Sequence, residues 1–207
     1  MEDPLVQDAA QEAAAAATEA RFTMNKVTTW TSIVNLFWGV LICVCGFAGF
    51  IIVQTHWSFN LEGQSIPLPL KTEYSNTNIL IIVAGGLVLL SSLMAAVAAR
   101  SGNQGNATQC WPSGLPTSPF IILGTTITLG FLLVAVVFPA TVASIGEDAG
   151  FPKGYEDAEK GATAFLVLSI LTTFGLSVMG CTSCFYSSRE QPNPVYIIGK
   201  APEPQAQ

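Results

Sequence analysis

Charge is what this sequence has least of. Eight basic and fourteen acidic residues amount to 11% of the chain, against about a quarter in an ordinary soluble domain. A surface built to face water is therefore missing over much of the molecule. The net charge of −6 comes without any Lys/Arg cluster. That excludes a phosphate-binding surface, so nucleic acid is not a partner, and removes strong attraction to anionic headgroups. Histidine occurs once, at His56 beside Trp57. With no cysteine or paired carboxylates near it, it cannot build a zinc site and reads as an interfacial polar residue. There is no Ser/His/Asp set, no phosphate loop and no paired intramembrane carboxylate, which argues against an enzyme. No cofactor or metal is implied. Five cysteines are present, Cys43, Cys45, Cys110, Cys181 and Cys184. The number is odd and the spacing follows the hydrophobic runs, so this is not a disulfide framework.

What fills the chain instead is long apolar sequence. A spanning helix needs about 20 apolar residues to cross about 30 Å of hydrocarbon. Four charge-free stretches meet that length, at about 31–55 (TSIVNLFWGVLICVCGFAGFIIVQT), 78–99, 119–146 and 161–186. Hydrocarbon leaves no backbone group unpaired, so such runs are helices or barrel strands. Barrel strands alternate in polarity over about 10 residues, and these runs do not. The expected fold is an all-α membrane protein, a four-transmembrane-helix bundle occupying 27–187. An acidic, Ala-rich segment (1–26) precedes it and a Pro-rich tail (188–207) follows. Trp30, Trp57, Tyr74, Tyr155 and Tyr186 stand near span ends, where amphipathic rings favour the headgroup level. The first 26 residues are polar and acidic rather than signal-like, so the first span is expected to act as an uncleaved anchor.

Positive flanks set the expected orientation. Arg21, Lys26, Arg100, Arg189 and Lys200 fall on one side, and Lys71, Lys153 and Lys160 on the other. Both termini are therefore expected in the cytoplasm. The sequon Asn106-Ala-Thr108 would then lie in the cytoplasmic middle loop and go unused. The Ala-rich segment suits a cytoplasmic helix over about 6–21, with disorder as the alternative. The first outer loop, 56–77, suits a short hairpin. The second, 147–160, carries Glu147, Asp148, Glu156, Asp157 and Glu159. Calcium-hand spacing is absent, so it is expected to be a solvated acidic loop.

Two cytoplasmic features are candidate sites. Cys181 and Cys184 end the fourth span, where S-palmitoylation is common. Plain helix filling competes with that reading, and a redox CxxC lacks thioredoxin-like surroundings. The tail contains Asn193, Pro194 and Tyr196 in Asn-Pro-Val-Tyr. An Asn-Pro turn followed by an anchoring ring is the form of a sorting motif for a cytoplasmic adaptor. An inert tail is the alternative.

Within the spans Asn35 is the strongest polar group and is expected to hydrogen-bond a neighbouring helix. Small residues mark candidate packing faces: Gly85, Ser92, Ala96 and Ala99 in the second span; Gly124, Thr126 and Gly130 in the third; Ser169, Thr173, Ser177 and Gly180 in the fourth. The same faces could serve homo-oligomers or other membrane-protein partners. Pro139 removes a donor to the Ala135 carbonyl and should bend the third helix.

The layout over about 21–186, together with RFTMNKVTTWTSIVNLFWGVLI at 21–42, resembles MARVEL-type and coatomer-associated four-span proteins of Golgi and vesicle membranes. That resemblance implies vesicle trafficking or membrane organisation without enzymatic activity. Claudin-like, connexin-type and tetraspanin signatures, with their outer-loop cysteines, are missing. So are the charged spans of Casparian-strip-like proteins. Localisation would be the Golgi/vesicle system or the plasma membrane. The rival functions are a channel-forming or accessory subunit of a larger membrane complex and, third, a small transporter.

Overall fold

The computed structural model describes residues 4–55, 60–61, 64–65, 68–103, 117–145 and 153–190, with side chains at 15–16, 19–20, 22–55, 73–100, 121–144 and 153–182. Helix α1 runs Pro4–Thr55, and the antiparallel strands β1 (Asn60–Leu61) and β2 (Gln64–Ser65) follow it. Helices α2 (Leu68–Asn103), α3 (Thr117–Ala135), α4 (Val137–Ile145) and α5 (Lys153–Glu190) complete the order. Four helices are long and apolar enough to cross a membrane, over Phe22–Thr55, Glu73–Arg100, Ile121–Ser144 and Lys153–Thr182. The two-residue strands form a small hairpin in the first connection.

The 52 residues of α1 extend about 78 Å at 1.5 Å each. The Ala-rich segment is thus the same helix as the first span, with no Gly or Pro between Pro4 and Gly39 to end it. Around the bundle the order is α1, α2, α3–α4, α5, each packed on the next, and α5 closes on α1. This is an up-and-down bundle.

Burial repeats along each helix at alternating spacings of three and four residues. On α1 the buried positions are Asn25, Thr28, Ser32, Asn35, Gly39, Ile42, Gly46, Gly49 and Val53. On α5 the series runs Tyr155, Glu159, Ala162, Leu166, Ser169, Thr173, Leu176, Gly180. Buried stripes on α2 and α3–α4 have the same spacing. A mean of 3.5 residues is the repeat of left-handed supercoiled packing. Midway along the bundle Ile42, Ile81, Ala84, Val88, Leu132, Ala135, Ala162 and Leu166 form the apolar core. The opposite faces stay exposed with Trp30, Phe37, Phe47, Leu90, Val134 and Leu171. An apolar belt this continuous suits lipid rather than water.

Glycine sets the α1–α2 distance. A Cβ on Gly85 would stand 3.0 Å from the Gly39 carbonyl oxygen and 3.0 Å from the Cys43 nitrogen. Both obstacles are backbone. Lipid supplies no hydrophobic drive between helices, so this close contact is a main source of association.

The third span is interrupted close to Pro139, which has no amide hydrogen to donate to the Ala135 carbonyl. Helix α3 stops at Ala135, Val136 is a turn, and α4 resumes at Val137. Hydrogen bonds from Val136 N to Leu132 O (3.0 Å) and from Ala140 N to Val136 O (3.2 Å) carry the chain across the break. Pro139 itself is fully buried.

Candidate functional site

Two polar clusters interrupt the apolar interior, at different heights. One lies toward the end of the bundle that carries the chain termini, the other toward the end that carries the hairpin.

Asn35 organises the first. It is fully buried. Its Nδ2 donates to Ser92 Oγ on α2 and Thr173 Oγ1 on α5, both at 3.0 Å. Its Oδ1 accepts from Ser169 Oγ at 3.0 Å and Thr172 Oγ1 at 2.6 Å. An amide has two donors and two acceptor lone pairs, and all four are used. Asn35, Ser92, Ser169 and Thr173, singled out separately in the sequence, therefore converge on one network joining three helices. Thr172 is the member that sequence reasoning missed. Other hydroxyls in the spans bond their own helix one turn back, such as Ser32 to Thr28 O (2.8 Å) and Thr128 to Gly124 O (2.8 Å). This is how serine and threonine are tolerated in hydrocarbon.

The remaining packing candidates divide. Gly85 lies in the α1–α2 contact. Ala96 and Ser177 are only half-buried, one position beside the fully buried Ala95 and Leu176. Gly130 and Thr126 are exposed rather than inward. Nothing approaches within 4 Å of where a Cβ would stand on Gly124 or Gly130. The buried stripe of α3–α4 instead runs through Ile121, Thr125, Thr128, Leu132, Ala135, Pro139 and Val142.

The second cluster corrects the expectation of a solvated acidic loop. Helix α5 starts at Lys153, eight residues before 161, and so takes in Glu156, Asp157 and Glu159. Asp157 is exposed, but Glu156 is 7% and Glu159 1% exposed. Glu156 pairs with Lys160 one turn later, the favourable Glu-before-Lys order. Glu159 differs. No described donor meets either carboxylate oxygen at full hydrogen-bond geometry, although the Tyr155 hydroxyl one turn earlier is close enough to donate to it. The Tyr155 hydroxyl and the Cys45 thiol of α1 lie within its electrostatic reach. Asn78 of α2 donates its Nδ2 to the Tyr74 carbonyl at 2.9 Å and to the Tyr155 hydroxyl at 3.4 Å. Its Oδ1 lies against Gly49, where a Cβ would collide with it, and accepts no hydrogen bond from a described residue. Tyr74 stands edge-on to Tyr155 (centroids 6.2 Å apart) and to Phe138 (5.8 Å), closing the hairpin end above the cluster. The helix that carries the fourth span thus holds a buried carboxylate just before the charge-free stretch 161–186. A buried carboxylate costs several kcal/mol unless paired or hydrogen-bonded, and in a membrane bundle such a residue is a candidate functional position. The signal for it was present, because Glu159 lies on the same three-and-four series as Ser169 and Thr173.

Cys181 is exposed, and Cys43 and Cys45 are half-buried; all three are free thiols. The backbone of Cys184 belongs to α5, but its side chain lies outside the described residues, as do His56, Cys110, the Asn106 sequon, Glu147, Asp148 and the tail positions Asn193, Pro194 and Tyr196. Among the described residues no three His, Cys, Asp or Glu side chains gather as a metal site would require. No protein-family model matches the sequence, and neither a curated protein nor a solved structure matches it.

Proposed function

We propose that this four-span membrane protein is non-enzymatic and works in membrane organisation or vesicle trafficking, in the Golgi/vesicle system or the plasma membrane. In this reading both termini are cytoplasmic and the C-terminal tail is the contact site for an adaptor. The observation that supports it is how the polar groups near Asn35 are used. Asn35 commits all of its hydrogen-bonding capacity to Ser92, Ser169, Thr172 and Thr173. That level of the interior is filled by interlocked side chains, and the outer faces are apolar. A conduit needs polar groups turned toward an open lumen. A packed body with an apolar girdle is suited to occupy and order lipid and to present its ends to partners. Deleting residues 192–207 is expected to redistribute the tagged protein among compartments. Unchanged localisation would refute the tail's sorting role.

A second reading, an accessory subunit of a larger membrane complex or a homo-oligomer, is favoured by the exposed Gly86 and Gly130. Both have open space where a Cβ would stand, and bare backbone of this kind admits a close neighbouring helix. Native mass in mild detergent separates the readings, since a monomer without partners eliminates the second.

A further inference from the structure

At the end of the bundle that carries the chain termini, a groove of about 590 Å³ opens between α1 and α5. Ala16, Ala20, Thr23, Met24 and Val27 of α1 and Met179 of α5 line it, with Glu19 as the one charged member. Two contacts set the level of the antiparallel helices here. Thr28 of α1 meets the Met179 sulfur at 3.6 Å, and Thr182 of α5 meets the Met24 sulfur at 3.5 Å. Ala16 lies eight residues before Met24, and Glu190, where α5 ends, eight after Thr182. Each interval is about 12 Å of helix, so α5 ends level with the outer end of the groove. Glu19, Arg21 and Lys26 set this stretch of α1 at or beyond the headgroups, so acyl chains do not fill most of it.

We propose that the tail segment Val195–Ile198 folds back from the end of α5 and docks in this groove, covering Tyr196.

The tail has the means to turn. Gln191 and Asn193 each precede a proline, which disfavours helical backbone, and Asn-Pro favours a turn. Beyond the turn stand Val195, Tyr196, Ile197 and Ile198, the only large apolar side chains after Tyr186. Extended, the four cover about 13 Å, against about 16 Å of α1 between Ala16 and Val27. The apolar run thus begins at the groove's outer end and nearly matches its length. Met24 and Met179 offer adaptable thioethers that pack well against an aromatic ring such as Tyr196. One consequence rests on the adaptor reading above: a docked tail withholds Tyr196 of the Asn-Pro-Val-Tyr motif until it is released. The docking itself stands without that reading.

The test is disulfide trapping in the full-length protein in isolated membranes, with Cys110, Cys181 and Cys184 replaced by serine and a protease site inserted between residues 103 and 117. A20C is paired with I197C, and F22C with I197C as the control. Both α1 positions are exposed, but they lie about 200° apart around the helix. An undocked tail meets the two at similar effective concentration. After oxidation and cleavage, joined fragments are expected for A20C at about tenfold the rate for F22C. A16W, whose ring fills the groove, should remove that preference. Equal trapping at the two positions, no trapping at either, or a preference that survives A16W would overturn the proposal. So would disulfides that join two molecules, seen before cleavage as a product of twice the mass, since the occupant would then be the tail of a second copy. Trapping at A20C together with unchanged localisation on deleting residues 192–207 would leave the docking in place and remove only the adaptor.

Discussion

Replacing Asn35 by alanine removes four interhelical hydrogen bonds in one step, two of them donated and two accepted at 2.6–3.0 Å. Interhelical hydrogen bonds in membrane bundles average about 0.6 kcal/mol and reach about 1.7 at most. Four of them therefore total about 2.4 kcal/mol. The hole left behind adds to this, since a residue fully buried between α1, α2 and α5 cannot be replaced by collapse alone. One compensation reduces the loss. Thr172 already bonds the Leu168 carbonyl at 3.0 Å, and Ser92, Ser169 and Thr173 can turn toward their own helices in the same way. The orphaned hydroxyls therefore do not incur the full penalty of an unpaired buried group. The net expectation for N35A is a loss of about 2–4 kcal/mol by this reasoning, measured by reversible unfolding in mixed micelles. A double-mutant cycle with S169A then isolates the pair. Because Ser169 donates to Asn35 Oδ1, coupling of about 0.5–1 kcal/mol is expected. A loss below about 0.5 kcal/mol in N35A, or purely additive behaviour in the cycle, would mean that the network does not hold the helices together.

Two further outcomes follow from packing and exposure. G85A should destabilise by about 1–3 kcal/mol, because its Cβ meets the backbone of Gly39 and Cys43 and forces α1 and α2 apart. G130A, where the space is open, should be neutral or stabilising by up to about 1 kcal/mol through helix propensity. Equal effects in the two would refute the close-contact account. Cys181 is exposed at the end of the fourth span, so acyl-exchange labelling of protein from native membranes should give a mass shift lost in the C181S/C184S double variant. An unshifted wild type removes lipidation from the reading.

The spans were legible because length and lack of charge are local properties. Each run of 20 or so apolar residues has one solution in hydrocarbon, and four such helices are found. The start of α5 was misread for the same local reason. KGYEDAEK is polar enough to look like a loop, yet after Pro152 only Gly154, in the first turn, opposes a helix, and the Glu156–Lys160 pair supports one. The packing faces were chosen by residue size, which put Ala96 and Ser177 one position off the buried Ala95 and Leu176. Following the three-and-four spacing from Ser169 and Thr173 gives Leu176 forward and Leu166, Ala162 and Glu159 backward. The period contained more information than the size. The pairing of Asn35 with Ser92 and Thr173 was not legible, because these partners are 57 and 138 residues away and several hydroxyls at similar depth compete for the same amide. The tail motif and the sequon lie outside the described residues, so neither gains or loses support from the fold.

The hydrogen bonds divide the four helices unequally. Asn35 ties α1 to α2 and α5, Asn78 ties α2 to α5, and Thr28 of α1 reaches the Met179 sulfur of α5 at 3.6 Å. The described hydroxyls of α3–α4 bond only their own helix, as Thr125, Thr128, Thr141 and Ser144 do. This element docks through shape: Leu132 and Ala135 in the core, Ile121 and Ile122 against Gly180, and Phe138 against Tyr74. Directional bonds fix the axial register of a helix, because a shift of one turn breaks them. Apolar contact in a membrane tolerates sliding, since lipid chains are as apolar as the helix they would replace. Register is thus specified for α1, α2 and α5, while α3–α4, the broken helix that also exposes Gly130, is held by contact alone. A new partner helix in the bilayer would meet least resistance beside α3–α4, because displacing it breaks no described interhelical hydrogen bond.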